Sequence, residues 1–256
     1  GGEGNDVIEG NFGNDELYGE SGDDTITDDS GSNILDGGSG NDNLSSRSLS
    51  GDHTLKGGYG ADTLTATGKK VTLEGGDEND HIYAYGFIDK EGSRSYLEEG
   101  EATITGGAGD DYIRVEYYET VNVEGGEGND RIDHFRYIKG DVEVDGGNGN
   151  DTFTYLRDIE GDVKINAGAG NDQIGYEWDS SYSGLRNIKG DVEIDLGHGD
   201  DFLYSRDTQG SLVIKGDQGK DHIKAYNGVK VDIDGGIDDD TLYAYEFRDG
   251  QLSGGA

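Results

Sequence analysis

Cysteine, proline and methionine are absent from the 256 residues, and tryptophan occurs once. Without cysteine there is no disulfide framework, no thiolate metal site and no cysteine nucleophile, and the redox compartment stays open. No apolar run approaches the ~20 residues of a membrane span. Cations are scarce: 20 Lys and Arg stand against 56 Asp and Glu, a net charge of −36. So few dispersed cations under so negative a field cannot neutralise a phosphate backbone, which excludes nucleic acid as a partner. Apolar residues make up only 30% of the chain, a content that by itself reads as disorder. Helix-length patterns of period 3.6 are missing, as are G-x-S-x-G, H-E-x-x-H and phosphate-loop motifs.

What the chain has instead is 48 glycines in a fixed relation to its acids. Gly1-Gly2-Glu3-Gly4-Asn5-Asp6-Val7-Ile8-Glu9 fits G-G-x-G-x-D-x-U-x, with U a large apolar residue. Copies follow at Gly10, Gly19, Asp28 (degenerate) and Gly37, nine residues apart. Later turns of the same type begin at 57, 75, 106, 125, 146, 167, 196, 216 and 235. Two nonapeptides make one coil, so the turns at 1, 19 and 37 join the later ones in one row of twelve, and those at 10 and 28 belong to a second row that soon loses the motif. The motif-free half of each coil alternates apolar and polar residues, as in Gly140-Asp141-Val142-Glu143-Val144 and Gly161-Asp162-Val163-Lys164-Ile165, the period of a half-buried strand. The motif half places its apolar residue two after the turn Asp, from Ile8 and Ile26 to Ile223 and Leu242. The pattern predicts an all-β, right-handed parallel β-roll or β-helix solenoid of about twelve coils, whose core is one side chain deep. Two regions are expected: regular repeats with motif turns on both edges over 1–45, and a continuation over 46–256 with motif turns on one edge and insertions near 86–100 and 177–189.

The turns point to calcium. Glycine lets successive carbonyls point into the loop, and the sixth-position Asp adds a hard anionic oxygen. Calcium takes 6–8 oxygens, more than one loop supplies, so an ion is shared between loops one coil apart. The long row offers Asp6, Asp24, Asp42, Asp62, Asp80, Asp111, Asp130, Asp151, Asp172, Asp201, Asp221 and Asp240; the short row offers Asp15 and Asn33. A Gly-Asn-Asp sequence is also a good turn former, but twelve aligned aspartates without a counter-ion would repel one another. About eight to eleven ions are expected, nearly all on one edge. Zinc is disfavoured by scattered histidines and missing thiolates.

At this level the chain resembles the RTX family, the hemolysin-type calcium-binding repeat proteins, most closely over Gly1 to Leu44 and in one half of each later coil. The resemblance implies a parallel β-roll, calcium between stacked turns, folding after secretion and export through a one-step bacterial channel, and hence an extracellular or cell-surface location. Departures occur at Glu78 and Asp238, which stand where the motif has its third glycine, and in the turns at 19, 167, 196 and 216, which each lose one of the first two glycines. A C-terminal secretion signal is not visible, and the ends of the chain read as cuts in mid-repeat.

Aromatic residues and arginine gather in what read as loops opposite the calcium edge, among them Tyr117, Tyr118, Phe135, Arg136, Tyr155, Arg157, Trp178, Arg186, Arg206, Tyr226 and Tyr245. They either dock a partner or cap the solenoid edge. Arg136, Arg157 and Arg206 are the cations expected to face acidic surface on a neighbour. His53, His81, His134, His198 and His222 share no consistent partner and read as surface residues. Carboxylate pairs such as Asp110-Asp111 recur throughout and carry no acid–base signal, so no enzyme is expected. The function expected is a secreted, calcium-folded structural or adhesive segment of a surface layer, filament or adhesin, meeting other copies or other domains of a longer chain. The alternative is a carbohydrate-binding or folding and secretion module attached to an extracellular enzyme, such as a polysaccharide-modifying one.

Overall fold

The computed structural model describes residues 1–90, 93–97, 99–176 and 184–254. Among them there is no helix, and so none long and apolar enough to cross a membrane. The chain divides into two compact units, Gly1–Glu124 and Gly125–Ala256. Each is a parallel β-solenoid, and there are about twelve turns in all. One antiparallel hairpin interrupts the first unit, Phe87–Lys90 against Ser93–Tyr96, within the expected insertion near 86–100. Most of the second expected insertion, with Trp178, lies outside the described residues.

In the first unit, alternation of apolar and polar residues becomes two columns of core side chains. Ile8, Ile26, Leu44, Leu64, Ile82 and Ile113 stand in register on the strands that follow the motif turns. Leu17, Leu35, Leu55, Leu73 and Ile104 do the same on the strands that precede them. In the second unit the columns are Ile132, Phe153, Ile174, Leu203, Ile223 and Leu242, and Val144, Ile165, Ile194, Ile214, Ile233 and Leu252. Away from the end coils these side chains are fully buried, each worth roughly 1.5–3 kcal/mol relative to exposure. Register is enforced because a one-residue slip would turn a whole column out to solvent.

The turns hold because their backbone enters the left-handed region. At Gly22 φ is 121°, and a methyl group there would collide with the carbonyl of Gly4 one coil away, so glycine is required. Where the sequence departs from the motif the backbone does not: Glu78 (φ 76°) and Asp238 (φ 89°) keep the same hand, as do Glu20 (φ 79°) and Asp217 (φ 66°) at second positions. Stacking on neighbouring coils holds these residues in a conformation that costs of the order of 1 kcal/mol each.

Candidate metal centre

Each motif turn except the one with Ala61 presents two polar residues in succession, and each of the two positions builds its own ladder. The fifth residue lies outside. The amide of Asp23 donates to Asn5 Oδ1, that of Asn41 to Asp23 Oδ1 and that of Ala61 to Asn41 Oδ1. In the second unit Asn150, Asn171, Asp200 and Lys220 donate in the same sense to Asn129, Asn150, Asn171 and Asp200. The sixth residue lies inside and runs the other way. In the first unit Asp6, Asp24, Asp42, Asp62 and Asp80 each donate their amide to the Oδ1 of the next Asp along, ending at Asp111, at 2.7–2.8 Å. In the second, Asp130, Asp151, Asp172, Asp201 and Asp221 do so in turn, ending at Asp240, at 2.6–3.0 Å. All twelve aspartates expected in the long row therefore lie in two columns of six, one in each unit.

Those hydrogen bonds use one carboxylate oxygen. The other, Oδ2, is buried and accepts no hydrogen bond in Asp24, Asp42, Asp62 and Asp80 of the first unit and in Asp172, Asp201, Asp221 and Asp240 of the second. Burial raises the carboxyls of Asp62, Asp80, Asp172 and Asp201 to about 7 and those of Asp111 and Asp221 to about 6, with neighbouring acids adding to the effect. A buried anionic oxygen without a partner is costly, and a fold that repeats it along a column requires a counter-charge.

The surroundings of Oδ2 fit a hard cation. A methyl group on Gly1 would meet both Asp6 Oδ2 and the carbonyl oxygen of Gly19 on the next coil. The same pair, the turn's own Asp Oδ2 and a carbonyl of the following turn, flanks Gly19, Gly37, Gly57 and Gly75, and Gly125, Gly146 and Gly216 in the second unit. A carboxylate and a carbonyl thus converge from adjacent coils on a place kept clear by glycine. No cluster of three His, Asp or Glu side chains suited to a metal occurs among the described residues. Any ion here takes one carboxylate per coil and completes its shell with backbone oxygen, a donor set that suits calcium and not zinc or a softer metal.

The second edge of the first unit follows a different course. The amide of Asp15 donates to Asn33 Oδ1, and Asn33 and His53 occupy successive coils in register. The sequence reading placed His53 on the surface; the structure buries it, with 2% exposed. Its ring lies between Gly51 and Gly68, which leave room for it, and its Nδ1 meets Ser46 Oγ at 2.9 Å. Ser46 also accepts from Asn33 Nδ2. Burial holds the imidazole below its usual pKa. Asp28, which sequence reasoning passed over as a degenerate first position, is 2% exposed and directs Oδ2 toward Gly10 near Asp15. The only signal for it was an acid where the motif has glycine.

Other expectations are corrected in the same way. Tyr118 and Phe135, read as edge aromatics, are core residues with 2% and 0% exposed. Arg206, Tyr226 and Tyr245 lie within the continuous strands Phe202–Lys215, His222–Asp234 and Thr241–Ser253, because parallel pairing carries on where loops were expected. His134 is half-buried and has a partner, since its Nδ1 lies 2.7 Å from Asp133 Oδ1, which also accepts from Thr154.

Comparison with known proteins agrees with this geometry. The RTX calcium-binding nonapeptide repeat (4 copies) matches residues 1–27, 18–47, 54–90, 99–115, 139–158 and 160–179, more than half of the chain. No curated protein matches it. With the repeat recovered in both units and its Asp columns stacked and buried, this chain belongs to the RTX calcium-binding nonapeptide repeat family.

Proposed function

We propose that the chain is a calcium-actuated structural and adhesive segment that works outside the cell and carries out no turnover. The observation that carries this reading is the pair of buried aspartate columns, whose Oδ2 atoms have no protein partner at Asp24, Asp42, Asp62, Asp80, Asp172, Asp201, Asp221 and Asp240. Without a cation these carboxylates oppose folding; with calcium between successive turns they hold it. Each column offers five gaps, ten in all, and a second-edge site at Asp15 adds one, so the ions number about eight to eleven, with Asp6 to Asp111 and Asp130 to Asp240 as the ligands of the columns. RTX repeats are typical of secreted bacterial proteins. In a cytoplasm poor in free calcium the chain, at −36, stays open; outside, sites of roughly 10⁻⁴–10⁻³ M affinity fill and the coils close. Its partners are then other copies or other domains of a longer chain, met only in the folded state.

Circular dichroism across a calcium titration tests the folding step. A cooperative gain of β signal is expected, reversed by chelator, with magnesium a poor substitute because it demands tighter octahedral geometry. A β spectrum unchanged in excess chelator would refute it. Light scattering over the same titration tests assembly: the expected result is growth in particle size at millimolar calcium, and a strict monomer there would remove self-association from the reading.

A further inference from the structure

The second edge of the first unit repeats the geometry of the calcium edge once, with a different oxygen. On the calcium edge, a methyl group on the first glycine of a turn would meet that turn's own Asp Oδ2 and the carbonyl oxygen of the first residue of the next turn, as at Gly1 with Asp6 and Gly19. The equivalent residue of the turn at 10 is Gly10. A methyl group there would meet Asp15 Oδ2 at 3.2 Å, again the turn's own sixth residue, and would collide with Oδ2 of Asp28. Asp28 is the first residue of the next turn and the one acid at the first position of any motif turn. Its side chain puts a carboxylate oxygen where the calcium edge has a backbone carbonyl.

Neither carboxylate is satisfied by the protein alone. Asp28 is 2% exposed, and its Oδ1 accepts the amide of Ser30 at 3.0 Å. Its Oδ2 is buried and accepts no hydrogen bond, and the same holds for Asp15 Oδ2. Burial raises the Asp28 carboxyl above the ordinary Asp value, and Asp15 beside it adds to the rise. Two buried anionic oxygens that converge on one space need a positive charge between them, a proton or a cation.

One coil further on, the same two positions carry other residues and the need disappears. Asn33 takes the place of Asp15, and Ser46 stands in register with Asp28. Asn33 Oδ1 accepts the amide of Asp15 at 3.1 Å, as Oδ1 does along the aspartate columns. Its other atom is a donor: Nδ2 bonds Ser46 Oγ at 3.2 Å and the carbonyl of Ser30 at 3.0 Å. A donor directed into the gap repels a cation, and the hydroxyl satisfies it. In the coil after that, the His53 ring fills the space between Gly51 and Gly68. The row thus passes from a gap lined by two carboxylates to gaps closed by side chains.

We propose that the gap between the turns at 10 and 28 is a calcium site of a different build, held by Asp15 Oδ2 and Asp28 Oδ2 together, and that Asn33, Ser46 and His53 close the row behind it without metal. The proposal deepens the calcium-folding part of the reading above, which used Asp15 alone, and rests on it. In the columns each gap brings one unpaired carboxylate oxygen; here two carboxylates balance the charge of one ion. Calcium affinity rises with the charge of the ligand set, so this gap holds its ion more tightly than a gap of the columns. The repeat does not encode it, because the motif has glycine where Asp28 stands.

The test is anomalous diffraction from crystals of the calcium-loaded chain grown at pH 8. A calcium peak is expected about 2.3–2.6 Å from both Asp15 Oδ2 and Asp28 Oδ2, and none between Asn33 and Ser46. Asp28→Asn should abolish that peak, leave those of the two columns, and raise the calcium midpoint of the circular dichroism titration several-fold. If that variant does not fold, Asp28→Gly restores the residue of the motif and should raise the midpoint likewise. The proposal is overturned if this gap is empty of calcium, its carboxylates then sharing a proton, or if the ion is held by Asp15 with Asp28 turned away. It is equally overturned by a peak between Asn33 and Ser46, or by a folded Asp28 variant that keeps the peak and midpoint of the wild type. If this gap is empty while the columns hold calcium, the proposal falls alone; if the columns are empty as well, the reading on which it rests falls with it.

Discussion

Two columns of aspartate run through the second unit, alike in hydrogen bonding and unlike in burial. On the motif edge Asp151, Asp172 and Asp201 each offer Oδ1 to a neighbouring amide. On the other edge Asp141, Asp162 and Asp191 do the same, accepting from Asp162, Asp191 and Ser211. The first three are 2% exposed or less; the second three face solvent. Water completes the shell of an exposed carboxylate, whereas a buried one must be protonated or paired with a cation. Turn geometry alone therefore does not create the need for a counter-charge. Burial of the second carboxylate oxygen does, and the glycines permit it by letting the coils close over the turn.

Removal of calcium is the strongest way to break that comparison. In excess chelator the buried columns should destabilise the whole chain, and far-ultraviolet circular dichroism should lose most of its β signal, although the exposed ladder loses no ligand. A substitution in the buried column comes next. Asp172→Asn should raise the calcium midpoint roughly 10–100-fold, because it removes an anionic donor while keeping the acceptor for the Asp151 amide. Its test is the same titration, and a midpoint within twofold of the wild type would count against Asp172 as a ligand.

Acid sharpens the contrast in the metal-free chain. Asp62, Asp80, Asp172 and Asp201, at about 7, and Asp111 and Asp221, at about 6, bind protons more tightly when folded than the ~3.9 of an unfolded Asp. A raised carboxyl favours the fold at low pH and withdraws that stability as pH rises through the folded value. With chelator present, β signal should thus be greater near pH 5 than near pH 8, the loss falling between about 4 and 7. With calcium present the ion competes with these protons, so the calcium midpoint should rise as pH falls.

The second edge of the first unit supplies smaller effects. His53→Ala should destabilise the calcium-loaded chain by about 2–4 kcal/mol, through a cavity and the lost bond to Ser46, without changing the number of ions bound. Thermal melts and ion counting by equilibrium dialysis check the two halves of that statement. Smallest of all, Asp162→Ala removes one exposed acceptor for the Asp191 amide and should cost about 0.5–1.5 kcal/mol in a denaturant titration.

Much of the calcium-edge architecture is legible in the residues, for a physical reason. Parallel stacking of near-identical coils makes spatial neighbours of residues one repeat apart, so the alignment of Asp6 with Asp24 or Ile8 with Ile26 on paper is also their register in space. The core apolar positions and the twelve sixth-position aspartates follow from that alone. Signals that do not repeat were lost. His53 and Asp28 occur once each, and only the closing of Asp15, Asn33 and Ser46 around them shows that the second edge of the first unit is filled by side chains. Tyr118 and Phe135 have the composition of a binding edge, yet the structure turns them inward.

The sequence by itself determined the repeat, the strand faces and the chemistry of the motif turn, because each depends on residue type at a fixed spacing. The tertiary structure decided which oxygens are buried and which are wet, since burial depends on how coils close over one another. It also decided that Arg136, Arg157, Arg186 and Arg206 form one column although 21, 29 and 20 residues separate them in turn, because insertions of unequal length still return each coil to the same register.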